Sequence, residues 1–259
     1  MRLEDKVIIV TGSTTGIGQV IAEKCVAEGA RVLIHGRDRK AGEAMVDKLQ
    51  GSAAFCQADL ADPASPEKII RSALEYFGRI DALVNNAAYV PKGNLQDTDP
   101  DLWHRVQAVN LYAPYRLIQL ALDELKKAQG CVVNIGSINA YCGEPDLFAY
   151  SISKGGLTTL TRNLGDSLHM KHGIRVNQVN PGWTLTPMEI KKKQEHGLPP
   201  DWYQHVPKEY APSGSILPPE TIAACVIYFL SDESRPVSGS VVDLEQYPVI
   251  GRNPPKGHD

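Results

Sequence analysis

Three side chains near the middle of the chain have the types and spacing for proton chemistry. They are Ser137 and the pair Tyr150 and Lys154, a Tyr-x-x-x-Lys arrangement inside SINAYCGEPDLFAYSISK. From Phe148 onward the apolar positions Leu157, Leu160, Leu164 and Leu168 recur at helical spacing, and on such a helix Tyr150 and Lys154 stand one turn apart on one face. A phenolate and an ammonium ~4 Å apart attract by ~4 kcal/mol at an effective dielectric of ~20. At ~1.4 kcal/mol per pKa unit this is expected to lower the phenol from ~10 towards ~7, in range for proton transfer near neutral pH. The pair alone does not establish the chemistry, because ring-packing tyrosines and solvent-reaching lysines are common on amphipathic helices.

The start of the chain supplies the context. Val7-Ile8-Ile9-Val10 is an unbroken apolar run, the pattern of a strand buried on both faces. It leads into Gly12-Ser-Thr-Thr-Gly16-Ile-Gly18 and then a helix-like segment closed by Gly29. Strand, glycine turn and helix make a phosphate cradle: glycines let backbone N–H groups approach a pyrophosphate, and the helix N-terminus adds about half a positive charge. The spacing Gly-x-x-x-Gly-x-Gly differs from the Gly-x-Gly-x-x-Gly of the standard dinucleotide fingerprint.

The alternation continues. Arg31 to His35, Ala53 to Ala58, Ile80 to Val84, Cys131 to Ile135, Ile174 to Val179 and Ser240 to Leu244 read as strands. Arg39 to Leu49, Glu67 to Phe77, Asp101 to Lys127 (interrupted by Pro114) and Thr221 to Leu230 read as helices. The expected fold is α/β, a Rossmann-type doubly wound parallel sheet of about seven strands with helices on both faces. Gly12, Gly36, Asp59, Asn85, Ser137 and Pro181 all fall at strand carboxyl ends, where such sheets hold ligands.

Composition narrows the class. The 259 residues suit one domain over 1–259, with 42% apolar and 22% charged residues and a net charge of -3. These values give no electrostatic case for nucleic acid or an anionic membrane, and point to a small-molecule ligand. The five cysteines form no Cys-x-x-Cys pair, so neither a disulfide framework nor a metal site is expected. Met1 leads directly into Arg2-Leu3-Glu4-Asp5-Lys6 and no apolar run reaches ~18 residues, so a cytoplasmic location without a membrane span is expected.

Five stretches taken together resemble the short-chain dehydrogenase/reductase family in its single-domain branch: TGSTTGIG at 11–18, Asn85-Asn86-Ala87-Ala88, Asn110, Ser137 with Tyr150 and Lys154, and Asn180-Pro181-Gly182 with Thr186. The resemblance runs from about residue 5 to residue 244. It implies an NAD(P)-dependent enzyme acting on CH–OH groups. Ser137 would hydrogen-bond the substrate oxygen, Tyr150 would give or take its proton, Lys154 would lower the tyrosine and hold the nicotinamide ribose, and Asn110 would anchor a water in a proton relay. Gly12, Thr14, Thr15, Ile17 and Gly18 would cradle the pyrophosphate side, and Asp59 and Leu60 would border the adenine. Asn86 would contact the adenosine-side ribose region, while Pro181, Gly182, Thr184 and Thr186 would meet the nicotinamide end. Asn85 and Asn86 are equally compatible with a plain turn, and Asn110 with a helix bend near Pro114. A homotetramer is also implied. A catalytically silent dinucleotide-binding sensor or scaffold is the competing class, disfavoured because all four catalytic positions are intact.

For the cofactor, NAD-preferring members of the family place an acidic residue where this chain has Gly36. The next residue, Arg37, has a planar fork that suits a 2′-phosphate. NADP(H) is therefore the preferred cofactor, with NAD(H) as the alternative. Thr15, where many NADP-dependent relatives carry a basic residue, and Asp38, an acid that also fits a helix N-cap, weigh against it.

Asn139, Tyr141, Glu144 and Trp183 are expected to line the substrate pocket beside Ser137 and Tyr150. Aromatic faces with an amide and a carboxylate suit a sugar, sugar acid or polyol; a 3-oxoacyl thioester is the alternative substrate. Residues 186–219, rich in proline and aromatics, read as a mobile flap, with Lys191 to Lys193 as a solvated helix face. In the tail, 244–259, the chain departs from the family's glycine pair after Asp243. Leu244 to Arg252 are expected to pack at a subunit interface, with Arg252 at the neighbour's active-site mouth, or else to cover their own subunit; Asn253 onward reads as disordered.

Overall fold

Apolar strands with no polar face need cover on both sides, and the chain supplies it with alternating helices. The computed structural model describes residues 1–249, the side chain of Cys142 excepted. Strands β1 (Val7–Val10), β2 (Arg31–Gly36), β3 (Ala53–Gln57), β4 (Ala82–Asn85), β5 (Cys131–Ile135), β6 (Arg175–Pro181) and β7 (Val241–Leu244) form a parallel sheet in the order β3-β2-β1-β4-β5-β6-β7. The helices are α1 (Gly16–Ala27), α2 (Arg39–Lys48), α3 (Ser65–Phe77), α4 (Pro100–Gln107), α5 (Ala113–Ala128), α6 (Asn139–Cys142), α7 (Phe148–His172), α8 (Pro187–Glu195) and α9 (Pro219–Leu230).

The period of two along each strand splits the core. Ile8, Val10, Val32, Ile34 and Val133 pack with Ile21 of α1, Met45 of α2 and Ile227 of α9. Ile9, Leu33, Leu83 and Val132 pack on the opposite face with Ile69 of α3 and Leu117 of α5. The chain runs outward from β1 to β2 and β3, then returns to place β4 on the other side of β1. That reversal opens a crevice above the carboxyl ends of β1 and β4.

Two expected elements differ in detail. The interruption of the helix from Asp101 lies at a wide π turn, Ala108–Tyr112, with Asn110 inside it, and not at Pro114. Pro114 stands two residues beyond it, in a helix already continuous through Tyr112. Residues 186–219 are also more regular than expected, because Pro187 starts the nine-residue α8 with Thr186 as its N-cap. The aromatics of this segment cover one another: Trp202, Val206, Ala211 and Ile216 form a small core with Trp183, Leu185 and Tyr203.

Beneath the strand ends lies a buried polar chain. Asn85 Nδ2 donates to Asn134 Oδ1 (2.8 Å), Asn134 Nδ2 to Thr161 Oγ1 (2.8 Å), and Thr161 Oγ1 to Gln178 Oε1 (2.8 Å). Gln178 Nε2 donates to Asn180 Oδ1 (2.7 Å), which also accepts from the Ser137 amide (3.1 Å). Gly136 makes room for this cluster, since a Cβ there would run into Asn180 Oδ1 and Gln178 Nε2. Gly136→Ala should therefore destabilise the protein by about 2–4 kcal/mol through overpacking and broken buried hydrogen bonds. Chemical denaturation is the check; an unchanged midpoint would mean the cluster relaxes freely around a methyl group.

Candidate active site

The crevice is a cleft of about 390 Å³ running from Arg37 and Asp59 at one end to Thr186 and Met188 at the other. Its floor is the glycine loop. Gly12 has φ +64 and a Cβ there would lie 2.9 Å from Ala87 Cα, while a Cβ at Gly18 would strike Asn86 Nδ2. Both close approaches leave backbone as the lining surface. Thr15 is the N-cap of α1 but makes no side-chain capping bond, unlike Asp38, Asp99 and Thr186 on α2, α4 and α8. The first-turn amides of α1 thus stay open to an anion. This backbone cradle fits the pyrophosphate of a dinucleotide.

Asn86 is engaged in shaping the loop: its Nδ2 donates to the carbonyls of Thr11 (2.9 Å) and Gly12 (3.1 Å). His35 stitches the loop from below, with Nδ1 accepting from the Gly12 amide at 3.1 Å. The ring is 2% exposed, and burial pulls its pKa down to about 4, so it stays neutral in this role.

At the adenosine end, a Cβ at position 36 would lie 2.6 Å from Thr14 Cγ2 and 2.8 Å from Thr14 Oγ1, so a side chain there would require Thr14 to turn away. Arg37 lines the cleft beside it. Asp38 turns away as an N-cap, its carboxylate accepting from the Ala41 amide at 3.1 Å. Leu60 is buried, and Asp59 pairs across the cleft with Arg105 of α4 at 3.4 Å. Arg105 also stands 5.2 Å from the centroid of the Tyr89 ring. His35, Tyr89 and Arg105 were not singled out by the sequence. His35 left one signal, an imidazole ending an otherwise apolar strand; Arg105 and Tyr89 left none, since only the fold brings α4 to the cleft.

Ser137, Tyr150 and Lys154 meet beyond the ends of β5 and β6. Lys154 is 2% exposed, and its Nζ donates to the Ile135 carbonyl at 2.7 Å. No carboxylate lies within ion-pair reach of it among the described residues. Burial accordingly lowers its pKa to about 8. Nζ stands 5.7 Å from the Tyr150 ring centroid. The expected drop of the phenol does not occur in the free protein: burial pushes Tyr150 above its ordinary value, and the interaction with Ser137 only partly opposes this. Tyr150 keeps some accessible surface, so burial sets the direction of this shift and not its size. A desolvated phenolate costs more than a lysine at this distance returns.

Asn110 lies beside this group, but its side chain serves two other partners. Oδ1 accepts from the Tyr89 amide (2.8 Å), and Nδ2 donates to the Tyr89 carbonyl (3.0 Å) and Ser153 Oγ (3.0 Å). The π turn places that amide between the loop after β4 and α7.

On the substrate side, Asn139 Nδ2 reaches Glu144 at 3.3 Å and the Asn139 amide donates to Ser137 Oγ at 3.2 Å. Tyr141 is anchored, its hydroxyl donating to Asp243 at 3.0 Å. Trp183 is half-buried, stacked on Trp202 at 5.4 Å, with Nε1 donating to Glu189 at 2.9 Å. Lys193, expected in solvent, stands 5.2 Å from the Trp183 ring centroid. Pro181 and Thr184 are buried; Thr184 Oγ1 donates to the Gly182 carbonyl at 3.1 Å, and a Cβ on Gly16 would lie 3.7 Å from Thr186 Cγ2 across the cleft. In the tail, Leu244 packs on its own core and Gln246 bonds Ser213 and Ser215. Arg252, Ile250 and the segment from Asn253 lie outside the described residues. No helix among the described residues is long and apolar enough to cross a membrane.

A dinucleotide cradle beside a serine, a tyrosine and a lysine defines a nicotinamide-dependent oxidoreductase. Residues 12–245 match a family model described as enoyl-(acyl carrier protein) reductase. An NADP-dependent (R)-specific alcohol dehydrogenase from Lentilactobacillus kefiri is 34% identical over 251 residues, covering 93% of this chain and 96% of the relative. An L-fucose dehydrogenase from Mus musculus is 34% identical over 188 residues, covering 72% and 68%. The crystal structure of a 3-ketoacyl-(acyl-carrier-protein) reductase from Brucella melitensis complexed with NADH superposes with a TM-score of 0.82 at 26% identity, covering 93% of this chain and 97% of that one. The chain belongs to the short-chain dehydrogenase/reductase family and is an NAD(P)-dependent oxidoreductase acting on CH–OH groups.

Lys154 gives a pH signature. Its pKa is depressed from 10.5 to about 8 in the folded state. Between those values the unfolded chain binds the extra proton, so folding stability rises with pH through this window, by up to ~3 kcal/mol at ~1.4 kcal/mol per unit. Below pH 8 the cost of holding the charge is present in full. Denaturant unfolding of the wild type and Lys154→Met at several pH values should show this rise only in the wild type; identical pH dependence would mean that the ammonium is solvated.

Proposed function

We propose that this enzyme is an NADP(H)-dependent oxidoreductase that moves a hydride between the nicotinamide and a secondary alcohol or ketone of a small polar substrate of the sugar, sugar-acid or polyol kind. The observation that carries the cofactor reading is at the end of β2: Gly36 offers no acidic side chain to accept from the ribose diol, and Arg37 stands next to it in the cleft. An arginine there favours a 2′-phosphate. The relative named NADP-dependent agrees with this preference, while the Brucella structure holds NADH.

In this reading Gly12, Thr14, Thr15, Ile17 and Gly18 hold the pyrophosphate side, Asp59, Leu60 and Asn86 the adenosine side, and Pro181, Gly182, Thr184 and Thr186 the carboxamide end. When bound, the cofactor would supply the hydride acceptor or donor and, in its oxidised form, a positive charge on the nicotinamide. Ser137 donates its hydroxyl hydrogen to the substrate oxygen. Tyr150 exchanges a proton with that oxygen at its own hydroxyl, and Lys154 holds the nicotinamide ribose and favours the phenolate. Asn110 belongs to the same unit through Ser153, whose hydroxyl donates to the Tyr150 carbonyl at 2.6 Å. Asn139, Glu144 and Trp183 supply an amide, a carboxylate and an indole that suit a polyhydroxylated ligand, with Tyr141 held beside them by Asp243, in line with the relative named for L-fucose. Homotetrameric assembly through α9 and β7 belongs to the same proposal.

Oxidation and reduction of the cofactor over a panel of aldoses, sugar acids, polyols and oxoacyl thioesters tests the function. Tyr150→Phe should lower turnover by about 10²–10⁴-fold on the best substrate. If the wild type binds NADP(H) yet matches the mutant on every compound, the protein is a dinucleotide sensor. Arg37→Ala should raise the KM for NADPH by about one to two orders of magnitude, the worth of a charge-assisted hydrogen bond, and leave that for NADH nearly unchanged. Equal changes in both would remove Arg37 from cofactor choice.

A further inference from the structure

β7 ends in two carboxylates two residues apart, Asp243 and Glu245, and strand periodicity sends both to one side while Leu244 turns to the core. Asp243 is occupied with Tyr141 and Asn180. Glu245 takes a place that Gly182 leaves open, since a Cβ on Gly182 would collide with the Glu245 carboxylate. Its Oε2 accepts from the Trp183 amide at 3.1 Å and its Oε1 from the Gln246 amide at 2.7 Å. The Gly182 amide donates in turn to the Leu244 carbonyl at 2.8 Å.

Two residues carry this contact outward. Gln246 Oε1 accepts from the Ser213 amide at 2.9 Å, and its Nε2 donates to the Ser215 carbonyl at 2.6 Å. Trp183 ties to the first turn of α8 through Glu189 and stacks on Trp202 with an interplanar angle of 25°. Glu245 therefore holds one end of the 187–217 segment through Trp183 and meets the contact at the other end through the Gln246 amide, while Leu217 also pairs with Trp183 and Leu185 by backbone bonds of 3.0 and 2.8 Å. Immediately before Gly182, Pro181 accepts from the Ile138 amide at 3.3 Å, so the same stretch also meets the serine loop.

We propose that Glu245 is a positioning residue for the substrate side of the site: with Gln246 it clasps the 187–217 segment to the end of β6 and fixes where Trp183 stands relative to Ser137 and Tyr150. A carboxylate accepting two backbone amides makes charge-assisted bonds, stronger than the neutral contacts of the rest of the segment. Glutamine at 245 keeps an acceptor for Trp183, whereas alanine leaves both amides and the space above Gly182 unfilled. The kinetic half of the claim rests on Ser137 and Tyr150 being the reacting groups; the structural half does not.

The full-length wild type is compared with Glu245→Ala, Glu245→Gln and Gln246→Ala by hydrogen exchange, by NADPH binding, and by steady-state reduction of diacetyl with NADPH. Glu245→Ala should speed exchange at Trp183 and across 202–217 by at least roughly tenfold, the factor that one lost bond of ~1.4 kcal/mol produces. It should raise the KM for diacetyl roughly tenfold, with kcat and NADPH affinity within about twofold. Glu245→Gln should recover most of both effects, and Gln246→Ala should loosen only the stretch around 213–217. Unchanged exchange in Glu245→Ala would overturn the clasp whatever the enzyme's activity. Faster exchange with unaltered diacetyl kinetics would overturn the positioning role. Absence of turnover in the wild type, with exchange responding as described, would count against the oxidoreductase reading on this probe and leave the clasp supported.

Discussion

The rest of the site depends on an ammonium group held out of water without a carboxylate beside it. Among the described residues Lys154 Nζ has one hydrogen-bond partner, the carbonyl at the end of β5, and its pKa falls to about 8. Tyr150, whose ring centroid lies 5.7 Å from Nζ, keeps some accessible surface, and burial drives its pKa the other way. Both groups are thus biased towards neutrality in the free protein. A simple Coulomb argument between neighbouring charges omits the several kcal/mol per ion that desolvation costs. In the proposed mechanism that bias makes the pair responsive, since a positive charge arriving next to the phenol meets little screening from solvent.

Such a pair needs a rigid support, and the polar chain under the strand ends provides one. Asn85, Asn134, Thr161, Gln178 and Asn180 come from three strands and a helix, and all are buried. Each link uses an amide or hydroxyl whose orientation is set by the next, so the arrangement has few alternatives of equal energy. One end reaches the Ser137 amide, and the other lies in β4 beside the cofactor cleft. Asp243 extends the chain to β7, the strand that also roots the clasp at Glu245. Fold and site share these contacts.

The sequence revealed those parts whose signals are local. Periodicity identified the strands and most helices, and the glycine spacing identified the loop before α1. Asp38 as an N-cap followed from residue preference alone. What stayed hidden has distant partners: His35 reaches back to Gly12, Arg105 crosses to Asp59, and Glu245 meets Trp183, each pairing made only by the fold. The π turn at Asn110 leaves no periodic trace, because one extra residue in a turn resembles ordinary helix with a polar position. Within 186–219 the lysine run already pointed to a helix face, and its start was legible too, since Pro187 sits where a proline fits best.

Titration of the Tyr150 hydroxyl tests the central claim most directly. Ring-labelled tyrosine observed by NMR, with Tyr150→Phe to assign the signal, reports its ionisation in the free protein and with oxidised cofactor bound. The account predicts a phenol that ionises above the ~10 of free tyrosine when the protein is alone. With the positively charged nicotinamide in place, the same signal should titrate well below that value. A Tyr150 already ionising near neutral pH in the free protein would contradict the account, because Lys154 alone would then outweigh burial.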